Sequence, residues 1–217
     1  MSFFGILEVL LQGAGYTLLI TFSCAATALV VGLGIAMARE LGGRWVSALL
    51  SAIVYVLRGV PMLVLLFIVF FGLPGIGVDV SPLPAMMLSL GLISGAYLSE
   101  VFRGALAAVN RNEVLAAQSM GFSRFETLRL IKIPQMMRFS VPGMVNELTT
   151  VLKYSPFAYT VGLPEITKQA MALVATTLRG IEIYVAVGLL YFAIYRLLLS
   201  AVRLIEKRYA IPGFAVE

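Results

Sequence analysis

Residues 13–38 read GAGYTLLITFSCAATALVVGLGIAMA. None of them carries a charge. At about 1.5 Å of rise per residue, a helix of this length crosses the ~30 Å hydrocarbon core of a bilayer with room to tilt. Arg39, which closes the run, is the first basic residue of the chain. A cleavable secretory signal opens with a basic segment, so none is expected ahead of the run. Residues 3–10, rich in Phe, Ile, Leu and Val, read instead as an interfacial helix preceding the span.

Working outward, similar apolar runs recur at about 46–71, 84–108, 139–163 and 182–204, which predicts five membrane-spanning helices in one membrane domain covering residues 1–217. Composition agrees: 60% of residues are hydrophobic and 12% charged, with mean hydropathy +0.98. A soluble domain carries roughly 25% charged residues, so bilayer lipid is the solvent this chain requires. The fold class expected is all-α integral membrane.

The net charge of +5 does not point to nucleic acid, because the basic residues fall between the apolar runs, as topology signals do. Arg39 and Arg44, then Arg111, Arg124, Arg129, Lys132 and Arg138, then Arg203, Lys207 and Arg208 lie on one side; only Lys168 and Arg179 lie on the other. The basic side is cytoplasmic, which puts the N-terminus outside and the C-terminus in the cytoplasm. Cys24 is the only cysteine and histidine is absent, so neither an internal disulfide nor a metal cluster is expected. No Gly-x4-Gly-Lys-Ser/Thr phosphate loop occurs, so the chain is not expected to hydrolyse ATP.

Residues 110–138 form the longest polar stretch, and they read as two short helices. Asn110 suits the N-cap of the first, with Glu113 at N3. Gly121 suits the left-handed residue that ends it. Ser123-Arg124-Phe125-Glu126 is a capping box for the second, with Phe125, Leu128 and Ile131 on one face and Pro134 closing the pattern. By periodicity alone the segment is either an amphipathic loop on the bilayer surface or a docking surface for a soluble partner.

Leu115-Ala116-Ala117-Gln118-Ser119-Met120-Gly121, followed by Ile133-Pro134, resembles the cytoplasmic coupling ("EAA") motif of ATP-binding cassette importer permeases. Leu115 stands where that motif has glutamate, and the nearest acid is Glu113. Three further stretches resemble segments of polar amino-acid permeases: Leu57-Arg58-Gly59-Val60-Pro61-Met62-Leu63-Val64, Ser94-Gly95-Ala96-Tyr97-Leu98-Ser99-Glu100-Val101-Phe102-Arg103-Gly104, and Val161-Gly162-Leu163-Pro164-Glu165-Ile166. Taken in order they cover nearly the whole chain, which is similar to the histidine/glutamine/arginine-type permease family. That resemblance implies an amino-acid importer subunit in a prokaryotic inner membrane. It also implies separate ATPase subunits that bind ATP and magnesium, a second permease (identical or paralogous), and an external solute-binding protein. In the ATPase-coupling role it places Leu115, Ala116, Ala117, Gly121 and Pro134.

Charged residues inside apolar runs cost about 2.5–3.5 kcal/mol each on insertion scales, so they need partners or a wet cavity. Glu100 and Arg103 lie three apart on one helix face. Asn146, Thr149, Thr150 and Lys153 recur at helical spacing as a polar stripe, followed by Ser155 and Pro156, which leaves the carbonyl near Leu152 without its usual donor. A broken helix beside a charge is a transporter binding-site pattern. Glu100 pairing with Arg103 or Lys153 simply to hold helices together is one reading. The other is that Arg103 and Lys153 receive an amino acid's carboxylate and Glu100 its ammonium, with Ser155 and Tyr97 completing the site; the resemblance implies this use of Glu100 and Arg103. By residue type alone Tyr97, like Tyr16, Tyr55 and Tyr191, reads first as an interfacial or packing aromatic.

Lys153-Tyr154-Ser155-Pro156 stands where many relatives have an acid or glycine after the lysine, which argues against a basic amino acid as substrate. Arg58 reads as a residue that snorkels near the cytoplasmic end of the second span, with a cavity-facing position as the alternative. Gly59 and Pro61 mark a helix distortion in either case. Gly32, Gly34 and Ala36 are expected to permit close helix packing. Two rival functions are a stand-alone ion-coupled carrier or channel, for which Glu100 would be the coupling acid, and a structural membrane subunit.

Overall fold

The computed structural model describes residues 3–209, and every regular element among them is helical. Residues 1–2 and 210–217, the latter expected in the cytoplasm, lie outside the described residues, as do the side chains of residues 3, 4 and 204–209.

The first helix, α1 (Phe3–Leu41), runs for 39 residues, roughly 58 Å. No break separates an interfacial helix from the span. Gly13, where the boundary was expected, is instead a contact point: a Cβ there would lie 2.7 Å from the Ile166 nitrogen and 2.8 Å from the Glu165 carbonyl carbon. The second apolar run is broken. Helix α2 (Arg44–Gly59) ends at Val60, whose extended backbone (φ −84°, ψ 127°) precedes Pro61. Helix α3 (Met62–Phe67) continues through a π turn, Ile68–Gly72, and a 3-10 turn, Leu73–Ile76. The two halves meet at 100°, the distortion that Gly59 and Pro61 foretold.

Helices α4 (Pro82–Met86) and α5 (Leu92–Ala107) are joined by a π turn, Met87–Gly91, into one run. This run is the packing centre, and two thirds of its apolar window is buried. It presses on α1 through small residues. A Cβ on Gly32 would sit 2.8 Å from the Leu98 Cβ, and one on Gly95 would sit 2.8 Å from a Val31 methyl. Ala36 is buried in the same seam. Gly34 faces open space, so of the three small residues singled out in α1 it takes no part in this contact.

Helices α6 (Arg111–Ser119) and α7 (Arg124–Thr127) follow, and a π turn, Leu128–Lys132, leads directly into α8 (Ile133–Tyr154). Pro134 therefore does not end the helical run. It sits in the first turn of α8, where the preceding wide turn relieves the ring clash and the missing N–H costs little. The π turn also resets the helical face: Thr127 and Leu128 are buried, whereas Phe125 is 60% exposed. Ser155–Val161 closes α8 as a 3-10 turn. A helix absent from the sequence reading, α9 (Ile166–Thr177), then precedes α10 (Gly180–Tyr209).

Among the described residues, three stretches are long and apolar enough to cross a membrane, Gly5–Leu41, Pro82–Ala107 and Gly180–Arg203, and the bent α2/α3 pair makes a fourth if it is one span. α8 stands apart from these because Arg138, Asn146, Glu147 and Lys153 dilute its apolar residues.

Candidate functional site

Glu100 on α5 is the centre of a three-residue charge cluster. Its Oε1 accepts from Arg39 Nη1 at 2.6 Å, and its Oε2 accepts from Arg103 Nε at 2.9 Å and Nη2 at 2.7 Å. The Arg103 side chain is 54% exposed, that of Arg39 only 12%. Arg39 comes from the last turn of α1, and Arg103 stands one turn beyond Glu100. The cluster therefore carries a net positive charge, with its exposed donors on Arg103. Arg39, read from sequence only as a topology signal, is thus the partner of Glu100; a spacing of 61 residues leaves no periodic trace.

Lys153 does not join this cluster. Its ammonium lies over the ring of Tyr195 on α10, 5.5 Å from the centroid. Ser155 is fully buried, and its hydroxyl donates to the Leu152 carbonyl at 2.8 Å. The Ser155 amide turns back to the Leu152 and Val151 carbonyls, so the carbonyl expected to be left open ahead of Pro156 is satisfied within the helix end. The polar stripe is partly spent in the same way: Thr149 and Thr150 both donate to the Asn146 carbonyl, at 2.8 and 3.0 Å.

The break between α2 and α3 opens onto a cavity of about 230 Å³ lined by Arg58, Val60, Met62, Ile93, Tyr97 and Tyr154 among others. The Arg58 guanidinium stacks over Tyr97 at 4.8 Å, and the Tyr97 hydroxyl donates to the Arg58 carbonyl at 3.4 Å. Arg58 is therefore cavity-lining, because the bend swings the end of α2 against α5. Tyr97 connects this cavity to Glu100, one helical turn away.

On the far side, the Asn110 carboxamide caps α6 by accepting from the Asn112 amide at 2.9 Å. Glu113 does not close a capping box; its carboxylate accepts from Gln135 at the start of α8. Gly121 adopts φ +88° with open space around it. Ser123 and Glu126 form the full capping box, with Ser123 Oγ and N donating to Glu126 Oε2 at 2.7 and 2.8 Å. These bonds hold the exposed Glu126 carboxyl below its ordinary range. Leu115 is 47% exposed, Ala116 is exposed and Ala117 buried, so α6 seats one face and offers the other. Pro134 is exposed at the head of α8. Lys132 pairs with Glu40, tying the π turn to the end of α1.

Two buried acids escaped the sequence reading. Glu147 on α8 is 9% exposed and faces Ser94 of α5; its place beside Asn146 in the stripe was the available signal. Glu165 is fully buried. It caps α9 by accepting from the Thr167 and Lys168 amides, both at 2.8 Å, and also accepts from the Tyr191 hydroxyl at 2.9 Å. No local pattern announces the Tyr191 contact, which arises only where α10 returns.

A multi-pass helical chain with ionisable groups gathered at a broken helix, and with a short helix held beyond the bundle, is built as a transport subunit. Residues 30–211 match the family described as binding-protein-dependent transport system inner membrane component, and the chain belongs to that family, among its amino-acid permeases of the ATP-binding cassette type. It is 35% identical to the probable amino-acid ABC transporter permease protein YckA of Bacillus subtilis, over 92% of this chain and 88% of that one. It is 32% identical to the histidine/lysine/arginine/ornithine transport system permease protein HisQ of Salmonella typhimurium, over 96% of each. Glutamine transport system permease protein GlnP of Escherichia coli is 30% identical over 93% of each. Among solved structures, an amino acid ABC transporter with histidines superposes with TM-score 0.87 at 27% identity, covering 96% of this chain and 99% of that one. The MetNI methionine transporter shares the fold, with TM-score 0.78 at 19% identity, covering 97% of this chain and all of that one.

Proposed function

We propose that this chain is the membrane-spanning subunit of an ATP-driven amino-acid importer, with its N-terminus outside and its C-terminus in the cytoplasm. Its five spans are α1, the bent α2/α3 pair, α4/α5, α8 with its 3-10 extension, and α10. The observation that carries the reading is the match of residues 30–211 to a family of binding-protein-dependent inner-membrane components.

Substrate passes along the face that carries Tyr97, Glu100 and Arg103 on α5 and Lys153 on α8. Arg103 offers exposed donors for a carboxylate, Lys153 a second cation further along the path, and Ser155 shapes the helix end between them. Glu100 both orders the two arginines and supplies the negative charge that an α-ammonium would meet.

Coupling runs through α6. Leu115, Ala116, Ala117 and Gly121 dock with a separate ATPase that holds ATP and magnesium, and Pro134 starts the helix that receives the movement. The run from Arg124 to Tyr154 is helical without interruption, so displacement at α7 reaches α8, and the Glu113–Gln135 and Lys132–Glu40 contacts keep α6, α8 and α1 in step. ATP-driven closure of the ATPase pair supplies the differential binding energy that such a shift requires. A second permease, identical or paralogous, completes the path, and an external solute-binding protein delivers the amino acid.

The test is ATP hydrolysis and amino-acid uptake in proteoliposomes holding this chain, its co-purifying ATPase and its solute-binding protein. ATP-dependent uptake supports the reading. Uptake by the chain alone, with no ATPase co-purifying, would replace it with a stand-alone carrier.

A further inference from the structure

We infer that Arg58 is a further carboxylate receptor on this path, in a binding pocket at the α2/α3 break, and that this pocket admits amino acids with neutral side chains and rejects cationic ones. The inference rests on the importer reading above and assigns the substrate class of that path.

An ionisable group within a span persists when it is paired or when it faces a wet cavity. Arg39 and Arg103 are paired, both to Glu100. Arg58 makes no ion pair among the described residues; its guanidinium lies over the face of Tyr97 at 4.8 Å. Stacking leaves the edge of a guanidinium free, and that edge is the part that donates two parallel hydrogen bonds to a carboxylate. The backbone there is held from both sides. The Val60 amide still reaches Val56 at 3.2 Å, and the Pro61 carbonyl accepts from Val64 and Leu65 at 3.0 and 3.1 Å. The Tyr97 hydroxyl meets the Arg58 carbonyl. The guanidinium is thus presented by a fixed bend rather than by a loose turn, which limits the ordering cost of binding.

The rest of the lining sets the side-chain class. Among the described residues no carboxylate lines the cavity; Val60, Met62, Ile93, Tyr97 and Tyr154 supply apolar and aromatic walls with two phenol groups. Tyr154 is 41% exposed and stacks on Phe157 at 5.9 Å. Glu100, a turn away, is the one carboxylate among the described residues near enough to meet the α-ammonium, and with both oxygens already held by arginines it has no charge to spare for a second cation. A second positive charge on the ligand would meet Arg58 with nothing to offset it, whereas a neutral polar or apolar side chain fits the walls.

The experiment uses the complete transporter in nanodiscs and proteoliposomes, with labelled glutamine and labelled arginine as probes. Binding to the permease–ATPase assembly without solute-binding protein reports the membrane path directly, and the Arg58 and Tyr154 variants assign it to this pocket. Wild type is expected to bind glutamine and not arginine. Arg58→Gln should weaken glutamine binding roughly 10–100-fold, the usual range for losing hydrogen bonds to a charged group, and Arg58→Lys should fall between. Tyr154→Asp should create arginine binding, and it decides the matter if Arg58→Gln fails to assemble. Arginine binding by wild type, unchanged glutamine affinity in assembled Arg58→Gln, or no gain of arginine binding in Tyr154→Asp would overturn the inference while leaving the importer reading intact. Absence of ATP-coupled uptake of any amino acid by wild type would overturn both.

Discussion

Arg39, in the last turn of α1, meets Glu100 of α5 across 61 residues of chain, at 2.6 Å. The contact joins the C-terminal end of α1 to the charge cluster beside the cavity. Removing the Glu100 charge leaves Arg39 poorly solvated, with its Nε already buried and unpartnered. Glu100→Gln is therefore expected to destabilise the subunit by about 2–4 kcal/mol and to stop uptake. Arg39→Gln should cost less, because Arg103 still neutralises Glu100. Thermal unfolding in detergent and uptake in proteoliposomes check both.

The seam between α1 and α5 depends on missing side chains. Gly32→Ala drives a methyl to 2.8 Å from Leu98 Cβ and 3.0 Å from the Gly95 carbonyl, and should cost about 1–3 kcal/mol. Gly34→Ala meets nothing and should be neutral or stabilising by up to about 1 kcal/mol through helix propensity. Paired melting curves separate the two.

Gly121 needs its left-handed backbone and has no neighbour to obstruct a methyl. Gly121→Ala should therefore act through strain alone, about 1–2 kcal/mol, re-aiming α6. The expected outcome is weaker retention of the ATPase, read by co-purification, with the membrane helices still folded.

Glu126 accepts two hydrogen bonds from Ser123 that hold its carboxyl low. A depressed folded value means the capping box contributes stability above the unfolded carboxylate value of about 4.3. That contribution disappears as pH falls through the lower folded value. Amide exchange over residues 124–127 should quicken in that acidic window, and Ser123→Ala should quicken it at neutral pH as well.

Glu165→Ala would strand the Tyr191 hydroxyl and two α9 amides. The cost expected is about 2–4 kcal/mol from the lost cap and the buried donors. Glu165→Gln keeps an acceptor and should lose less. Limited proteolysis around α9 and unfolding midpoints measure the difference.

The Ser123–Glu126 box, the left-handed Gly121 and the distortion at Gly59–Pro61 were legible because each is set by residues within one or two turns. So were the bilayer as solvent and the family, which rest on composition and on short motifs in order. Local pattern misled where a neighbouring element supplied the deciding contact. Gly13 reads as a helix boundary until Glu165 and Ile166 are found against it. Pro134 reads as a stop until the π turn ahead of it absorbs the ring, and Glu113 reads as a cap until Gln135 takes its carboxylate.

By itself, then, the sequence determined that this chain lives in a membrane as helices, which family it joins, and where short-range backbone rules apply. Only the tertiary structure decided that Glu100 belongs to Arg39, that Arg58 turns to a cavity beside Tyr97, that Lys153 lies over Tyr195, and that Glu165 binds Tyr191. The reason is physical: a helix writes its own period into the sequence, whereas contacts between helices depend on crossing geometry set by close approaches such as Gly32 on Leu98 and by the 100° bend at Pro61.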